Sequence, residues 1–261
     1  MAWATVHWKS AIIGKQTTLQ VLLPETGKPP YATFYLLHGL SDDSFNWLRN
    51  TRIECYVAGL PLIVVMPDGY RSFYTDHEEG QAWGRHVGEE IPAFVEKTFP
   101  ARAARSGRAI GGLSMGGYGA LRLGLGYADR FCSVNSHSGA VGWGQIARSA
   151  DYRKAVRARG WAPEFAEEMR RIFGRSPRRG SAHDLLALAT EAKAAGKLPK
   201  LMLDCGTEDF LIEDNRAFAA ALTKHGVPHR YTEHPGEHNW DYWDTHIREA
   251  LAFHAANLRL K

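Results

Sequence analysis

The chain has 261 residues, 44% hydrophobic and 23% charged, enough apolar material to bury a substantial core, so disordered and fibrous classes are excluded. Its net charge is +4, yet residues 148–180 alone hold ten Lys/Arg against four Asp/Glu, which leaves the rest of the chain near −2. No nucleic-acid motif accompanies that excess, which reads as the solvated surface of helices, and no nucleic-acid partner is expected. The N-terminal residues lack a basic segment followed by an apolar run, and no stretch approaches the roughly 20 apolar residues of a membrane span, so a soluble, cytoplasmic chain is expected. Cys55, Cys132 and Cys205 are odd in number and widely spaced, which argues against a disulfide framework or a zinc site and for buried thiols.

Residues 5–13 and 17–23 alternate apolar and polar positions and precede the turn-rich 24–30, so they predict an antiparallel opening pair. The pattern then changes. Residues 31–37, 62–66, 108–113, 131–135 and 201–205 are short apolar runs that end in Gly, Pro or Asp, as expected of parallel strands buried on both faces. Val87, Ile91, Phe94 and Thr98 recur at helical spacing, with Pro92 forcing a kink or a restart. Trp240, Trp243, Ile247, Ala250, Leu251 and His254 do the same without interruption. Alternating strands and helices predict one α/β domain over residues 1–261, with a mostly parallel sheet, an antiparallel N-terminal pair and helices on both faces. Residues 140–196 break this rhythm after the sixth strand with helical segments 152–159, 164–173 and 182–195 and no strand, and read as a helical insertion or cap.

The most informative motif is Gly112-Leu113-Ser114-Met115-Gly116, a G-x-S-x-G that follows an apolar strand and opens a helix of small residues. A sharp strand-to-helix turn leaves room only for small residues beside the serine. It lifts the Ser114 hydroxyl into a site and aims the Met115 N–H, at a helix N-terminus, toward a developing oxyanion. A second donor is expected from the loop after 31–37, at the N–H of Leu40, with His38 bracing that loop rather than serving as base. The chain order serine, acid, histidine makes Asp209 the acid, since it sits in a loop at a strand's carboxyl end; Glu208 is its nearest rival, and Asp204 and Asp214 read as structural. His238, in the loop after residues 229–234, is then the base, with His234 as runner-up. Neither the His234/His238 pair nor Asp42-Asp43 comes with a complete ligand set, so no metal and no cofactor are expected. Trp47, Tyr74, Trp83, Trp143 and Trp240 lie near these loops and are candidates either for a substrate pocket or for ordinary core packing.

These pieces resemble the esterase D family of α/β-hydrolases, and within it the bacterial tributyrin esterase-like carboxylesterases. The resemblance runs over nearly the whole chain: residues 35–40, 46–48, 62–67, 74–76, 112–119 and 205–211, then His238-Asn239-Trp240 with Trp243. It implies Ser114, Asp209 and His238 as catalytic triad and Leu40 and Met115 as oxyanion donors. It also implies a small acyl ester as substrate, hydrolysed through an acyl-enzyme. S-formylglutathione hydrolases, feruloyl and acetylxylan esterases and mycolyltransferases are related, so a thioesterase, a carbohydrate-linked acyl esterase and an acyltransferase stay open beside the short-chain carboxylesterase. Homo-oligomerisation is open as well.

Overall fold

A computed structural model describes residues 1–143, 152–174 and 180–260. Strands β1 (Ala2–Lys9), β2 (Gln16–Leu23), β3 (Ala32–Leu37), β4 (Leu62–Pro67), β5 (Arg108–Leu113), β6 (Ser133–His137), β7 (Lys200–Gly206) and β8 (Arg230–His234) form one sheet in the order β1-β2-β4-β3-β5-β6-β7-β8. The β1–β2 and β2–β4 pairs are antiparallel and the rest are parallel, as the hydrophobic patterning predicts. Every residue of β3, β4 and β6 is buried, because helices cover both faces of the parallel part. Side chains alternate between two cores: Tyr35, Leu37, Val65 and Ile110 point into one, while Phe34, Leu36, Val64 and Met66 point into the other.

Helices α1 (Asn46–Asn50) and α2 (Ile53–Val57) follow β3, α3 (Ile91–Thr98) follows β4, and α4 (Met115–Gly126) follows β5. Pro92 falls in the first turn of α3, where its missing N–H costs nothing. The residues before it, His86–Glu90, form a π-helical turn in which the Ile91 N–H reaches the His86 carbonyl, so the restart predicted at the proline takes this form. The first strand runs from Ala2 to Lys9 rather than over residues 5–13. The Glu90 carboxylate accepts the N–H groups of Ala11 and Ile12, Ser10 Oγ accepts that of Ile13, and the chain turns there instead of extending.

Between β6 and β7 lie α5 (Tyr152–Ala158), α6 (Glu164–Phe173) and α7 (Leu185–Ala194), and α8 (Ile212–Lys224) and α9 (Trp240–Leu258) complete the chain. The predicted insertion is therefore helical over its described residues, and 144–151 and 175–179 lie outside them. Helix α6 buries Phe165, Ala166, Met169, Ile172 and Phe173 at helical spacing and leaves Glu164, Glu167 and Arg171 outside. It docks on the segment after β4 by backbone bonds from the Glu78 and Glu79 N–H groups to the Ile172 and Arg171 carbonyls, at 3.1 and 2.9 Å. Arg71 adds a bidentate pair with Glu168, both contacts at 2.7 Å. Among the described arginines of the insertion, Arg170 holds Glu79 and Glu167, and Arg159 reaches Asp214. All three cysteines are free thiols, as expected. Only Cys205 is fully buried, whereas Cys55 is exposed on α2, a correction that the apolar residues around it in sequence do not foreshadow. No helix among the described residues is long and apolar enough to cross a membrane.

Candidate active site

The polypeptide passes from β5 into α4 through Ser114, whose φ of 52° lies in the left-handed region that a residue with a β-carbon occupies at a cost. The turn is held by what surrounds it. The Ser114 N–H donates to the His137 carbonyl at 2.9 Å, and the Ser114 carbonyl accepts from the Tyr118 and Ala140 N–H groups at 3.1 and 2.9 Å. Gly116 is required for close approach: a β-carbon there would stand 2.6 Å from the carbonyl oxygens of Leu37 and His38. This contact seats the start of α4 directly on the end of β3. Helix geometry leaves the Met115 N–H without a partner inside α4, at the end where the helix dipole favours negative charge.

The loop after β3 is braced from several sides. The Gly69 N–H donates to His38 Nε2 at 2.8 Å, so the imidazole proton sits on Nδ1 and is donated to the Gly39 carbonyl at 2.7 Å. Tyr74 donates its hydroxyl to the His38 carbonyl at 3.0 Å. Asp42, one of the acidic pair weighed as a metal ligand, accepts from the Gly39 N–H at 2.9 Å and the Asn46 amide at 2.8 Å, and Asp43 accepts from the Phe45 N–H at 2.7 Å. Both carboxylates are thus engaged in holding the loop that carries Leu40. His38 is buried and locked as a brace, the role expected of it.

Asp209 follows β7 and His238 follows β8, and the parallel pairing of these strands brings the two loops together. His238 Nδ1 lies 2.8 Å from Asp209 Oδ2 and its Nε2 lies 2.9 Å from Ser114 Oγ. The side chain of Asp209 is fully buried. Burial alone would raise its pKa, but the hydrogen bond and charge of His238 and the Leu211 N–H, at 2.8 Å, outweigh burial and hold the carboxyl below its ordinary range. An ionised Asp209 can only accept, so the imidazole proton sits on Nδ1 and Nε2 is left to accept from the serine hydroxyl. The arrangement can take a proton from Ser114 and keep the resulting imidazolium oriented.

The rivals stand elsewhere. Glu208 is exposed and accepts from the Gly236 N–H at 2.5 Å, bracing the loop that leads to His238. Asp204 is fully buried and accepts from His137 Nδ1 at 2.7 Å and from the Tyr242 hydroxyl at 3.1 Å, while Asp214 pairs with Arg159 at 3.0 Å. His234 faces Glu249 rather than Ser114. Of the aromatic candidates, Trp47 is buried and donates its indole N–H to the Leu37 carbonyl at 3.0 Å, and Tyr74 is buried under His38. Trp83 is buried beneath the exposed ring of Tyr70, 6.1 Å between centroids, and Trp240 is half-buried against Trp47 and Trp243.

One aromatic residue of the site escapes sequence reasoning. Phe210 is 60% exposed, with its ring 4.6 Å from that of His238, and its place next to Asp209 is the signal that the sequence offers for it. A row of rings continues from it through Trp161 to Phe165, at 6.2 and 4.8 Å. The Arg71 guanidinium lies over the Phe165 ring and opens onto a cavity of about 550 Å³ lined by Tyr70, Arg71, Glu164, Glu168 and Ile172, among others.

A serine at a strained strand-to-helix turn, on a sheet with this strand order, within reach of a histidine and a buried carboxylate, defines a serine hydrolase of the α/β-hydrolase fold. Residues 10–254 match the esterase family described as "Putative esterase", and the chain belongs to that family. It is 35% identical to an acetyl esterase of Caldicellulosiruptor saccharolyticus over 265 residues, covering 96% of this chain and 97% of that protein. Among solved structures it is similar to FphF, a fluorophosphonate-binding serine hydrolase of Staphylococcus aureus, with a TM-score of 0.84, 30% identity and coverage of 97% and 98% of the two chains. It is also similar to the S-formylglutathione hydrolase FrmB of Staphylococcus aureus, with a TM-score of 0.81, 32% identity and the same coverage. The protein is a carboxylic ester hydrolase.

Proposed function

We propose that the protein is a short-chain carboxylesterase of the esterase D type, similar to tributyrin esterases, with Ser114 as nucleophile, His238 as base and Asp209 as the group that orients it. The observation that carries this reading is the unbroken chain of contacts from Asp209 through His238 to Ser114, at 2.8 and 2.9 Å, with the serine on a strained turn at the mouth of the sheet. His238 Nε2 takes the hydroxyl proton as Ser114 Oγ attacks the ester carbonyl. The N–H groups of Leu40 and Met115 receive the oxyanion, and His238 returns the proton to the departing alcohol. Water then repeats the sequence on the acyl-enzyme and releases the acid. These steps need no cofactor.

The likeness to an acetyl esterase supports a small acyl group, and Phe210 and Trp243 flank the His238 ring, with Trp161 against Phe210. Turnover of p-nitrophenyl esters tests the acyl length: kcat/KM is expected to be highest from acetate to butyrate and to fall at least tenfold by about twelve carbons. Each methylene that fits adds up to about 0.8 kcal/mol, so the gain stops where the pocket ends. Activity still rising at twelve carbons would overturn the short-chain reading. Acetylated sugars and S-formylglutathione, assayed beside the simple esters, decide among an ordinary ester, a sugar ester and a thioester.

A further inference from the structure

His234, near the end of β8, and His246 and Glu249, one turn apart on α9, converge on the outer edge of the sheet, with one ligand atom from each lying within 4.8 Å of the others. Glu249 Oε1 is 3.5 Å from His234 Nε2 and 3.0 Å from His246 Nδ1. Bonds of about 2.0–2.1 Å to a tetrahedral zinc ion hold neighbouring ligand atoms about 3.3 Å apart, so the two measured edges bracket the spacing that a bound ion sets. The second observation concerns His234 Nε2, which is shielded from solvent and makes no hydrogen bond, although Glu249 Oε1 stands 3.5 Å away. A buried ring nitrogen of this kind forfeits a hydrogen bond unless something else fills its lone pair.

We propose that these three residues form a binding site for a divalent transition-metal ion, with zinc as the reference ligand. Two imidazoles and one carboxylate suit zinc, nickel or copper, whereas magnesium and calcium prefer all-oxygen sets. The surroundings favour this use. Arg230 holds the other carboxylate oxygen, Oε2, at 3.3 Å and leaves Oε1 turned toward the rings. The His234 and His246 rings lie side by side, with centroids 4.1 Å apart and an angle of 20°, and the soft Cβ–Cγ torsion of histidine would let a ring turn its nitrogen toward a shared ion. The fourth ligand is then water. The ion ties β8 to α9 on either side of the short loop that carries His238, without using the triad itself. The grouping joins residues 12 and 15 positions apart in sequence, a separation that no local motif marks.

Titrating zinc into the whole protein in competition with a chromophoric chelator tests the site. Wild type and His238→Ala should each bind one ion that is lost, or weakened at least tenfold, in His246→Ala and in Glu249→Gln; the second substitution keeps the side-chain shape and guards against misfolding. Zinc should also raise the Tm of wild type and of His238→Ala but not of the two site variants, and magnesium should do neither. Equal zinc affinity in wild type and both site variants, or loss of the ion in His238→Ala alone, would overturn the proposal, the latter by assigning the ion to the triad.

Discussion

Gly116→Ala tests how tightly the turn at Ser114 is coupled to the loop carrying Leu40. The added β-carbon would stand 2.6 Å from two backbone oxygens, about 0.8 Å inside the 3.4 Å at which ordinary contact begins, and neither oxygen can rotate away as a side chain would. Either the end of β3 recedes with the 38–40 loop, or the first turn of α4 lifts with Met115. Both movements separate the two proposed oxyanion donors, one of which is worth roughly 2.7–4 kcal/mol, or about 10² to 10³ in kcat. Loss of about 10² in kcat is therefore expected with KM changed little. Overpacking of this kind costs on the order of 1–3 kcal/mol, so a Tm lower by roughly 2–12 °C is expected. Steady-state rates on p-nitrophenyl acetate and thermal melts followed by circular dichroism measure both. Gly126→Ala is the control, since a β-carbon at that end of α4 meets nothing within 4 Å and should leave activity unchanged. A folded Gly116→Ala enzyme within threefold of wild-type kcat would refute the coupling.

Ser114→Ala and His238→Ala should each lower kcat by on the order of 10⁴ to 10⁶ with the fold intact, because nucleophile and base act as a unit. His234→Ala should cost little; a reversed ranking of the two histidines would move the base. Phe210→Ala should raise KM several-fold with kcat nearly constant, given an exposed ring beside His238, and an unchanged KM would remove that ring from the substrate's path. Burial, then the charge of Arg122, pushes the pKa of His183 down to about 4, and burial pushes that of His254 to about 3. Both fold neutral while the unfolded chain takes up protons below about 6.5, so stability should fall as pH drops from about 6.5 toward 4, by up to about 3 kcal/mol for His183. Denaturant titrations from pH 7 to 4 should show a shallower loss in His183→Asn than in wild type, and equal slopes would show that His183 is not the group responsible.

What sequence could reveal follows from the range of the interactions. The turn at Ser114 is local: Gly112, Gly116 and the apolar run before them state in one short stretch that the chain must bend sharply and pack closely, and the structure bends it there. Asp209 and His238 are legible because each follows a strand, and parallel strands deliver their carboxyl-end loops to one edge of the sheet. Side-chain burial is not local. Nothing near Trp47 in sequence says that its indole N–H is used on the Leu37 carbonyl, or that Tyr74 lies under His38, so both look as ready to line a pocket as to support a loop. Phe210 is the converse, since an apolar residue beside the catalytic candidate reads as core until the fold leaves its ring in solvent. The same limit hides the groups that join distant elements, Asp204 with His137 and Tyr242, and His234 with His246 and Glu249. Their partners are set by strand order and helix docking, and the alternation of apolar runs predicts that a sheet forms without fixing which side chains its edges bring together.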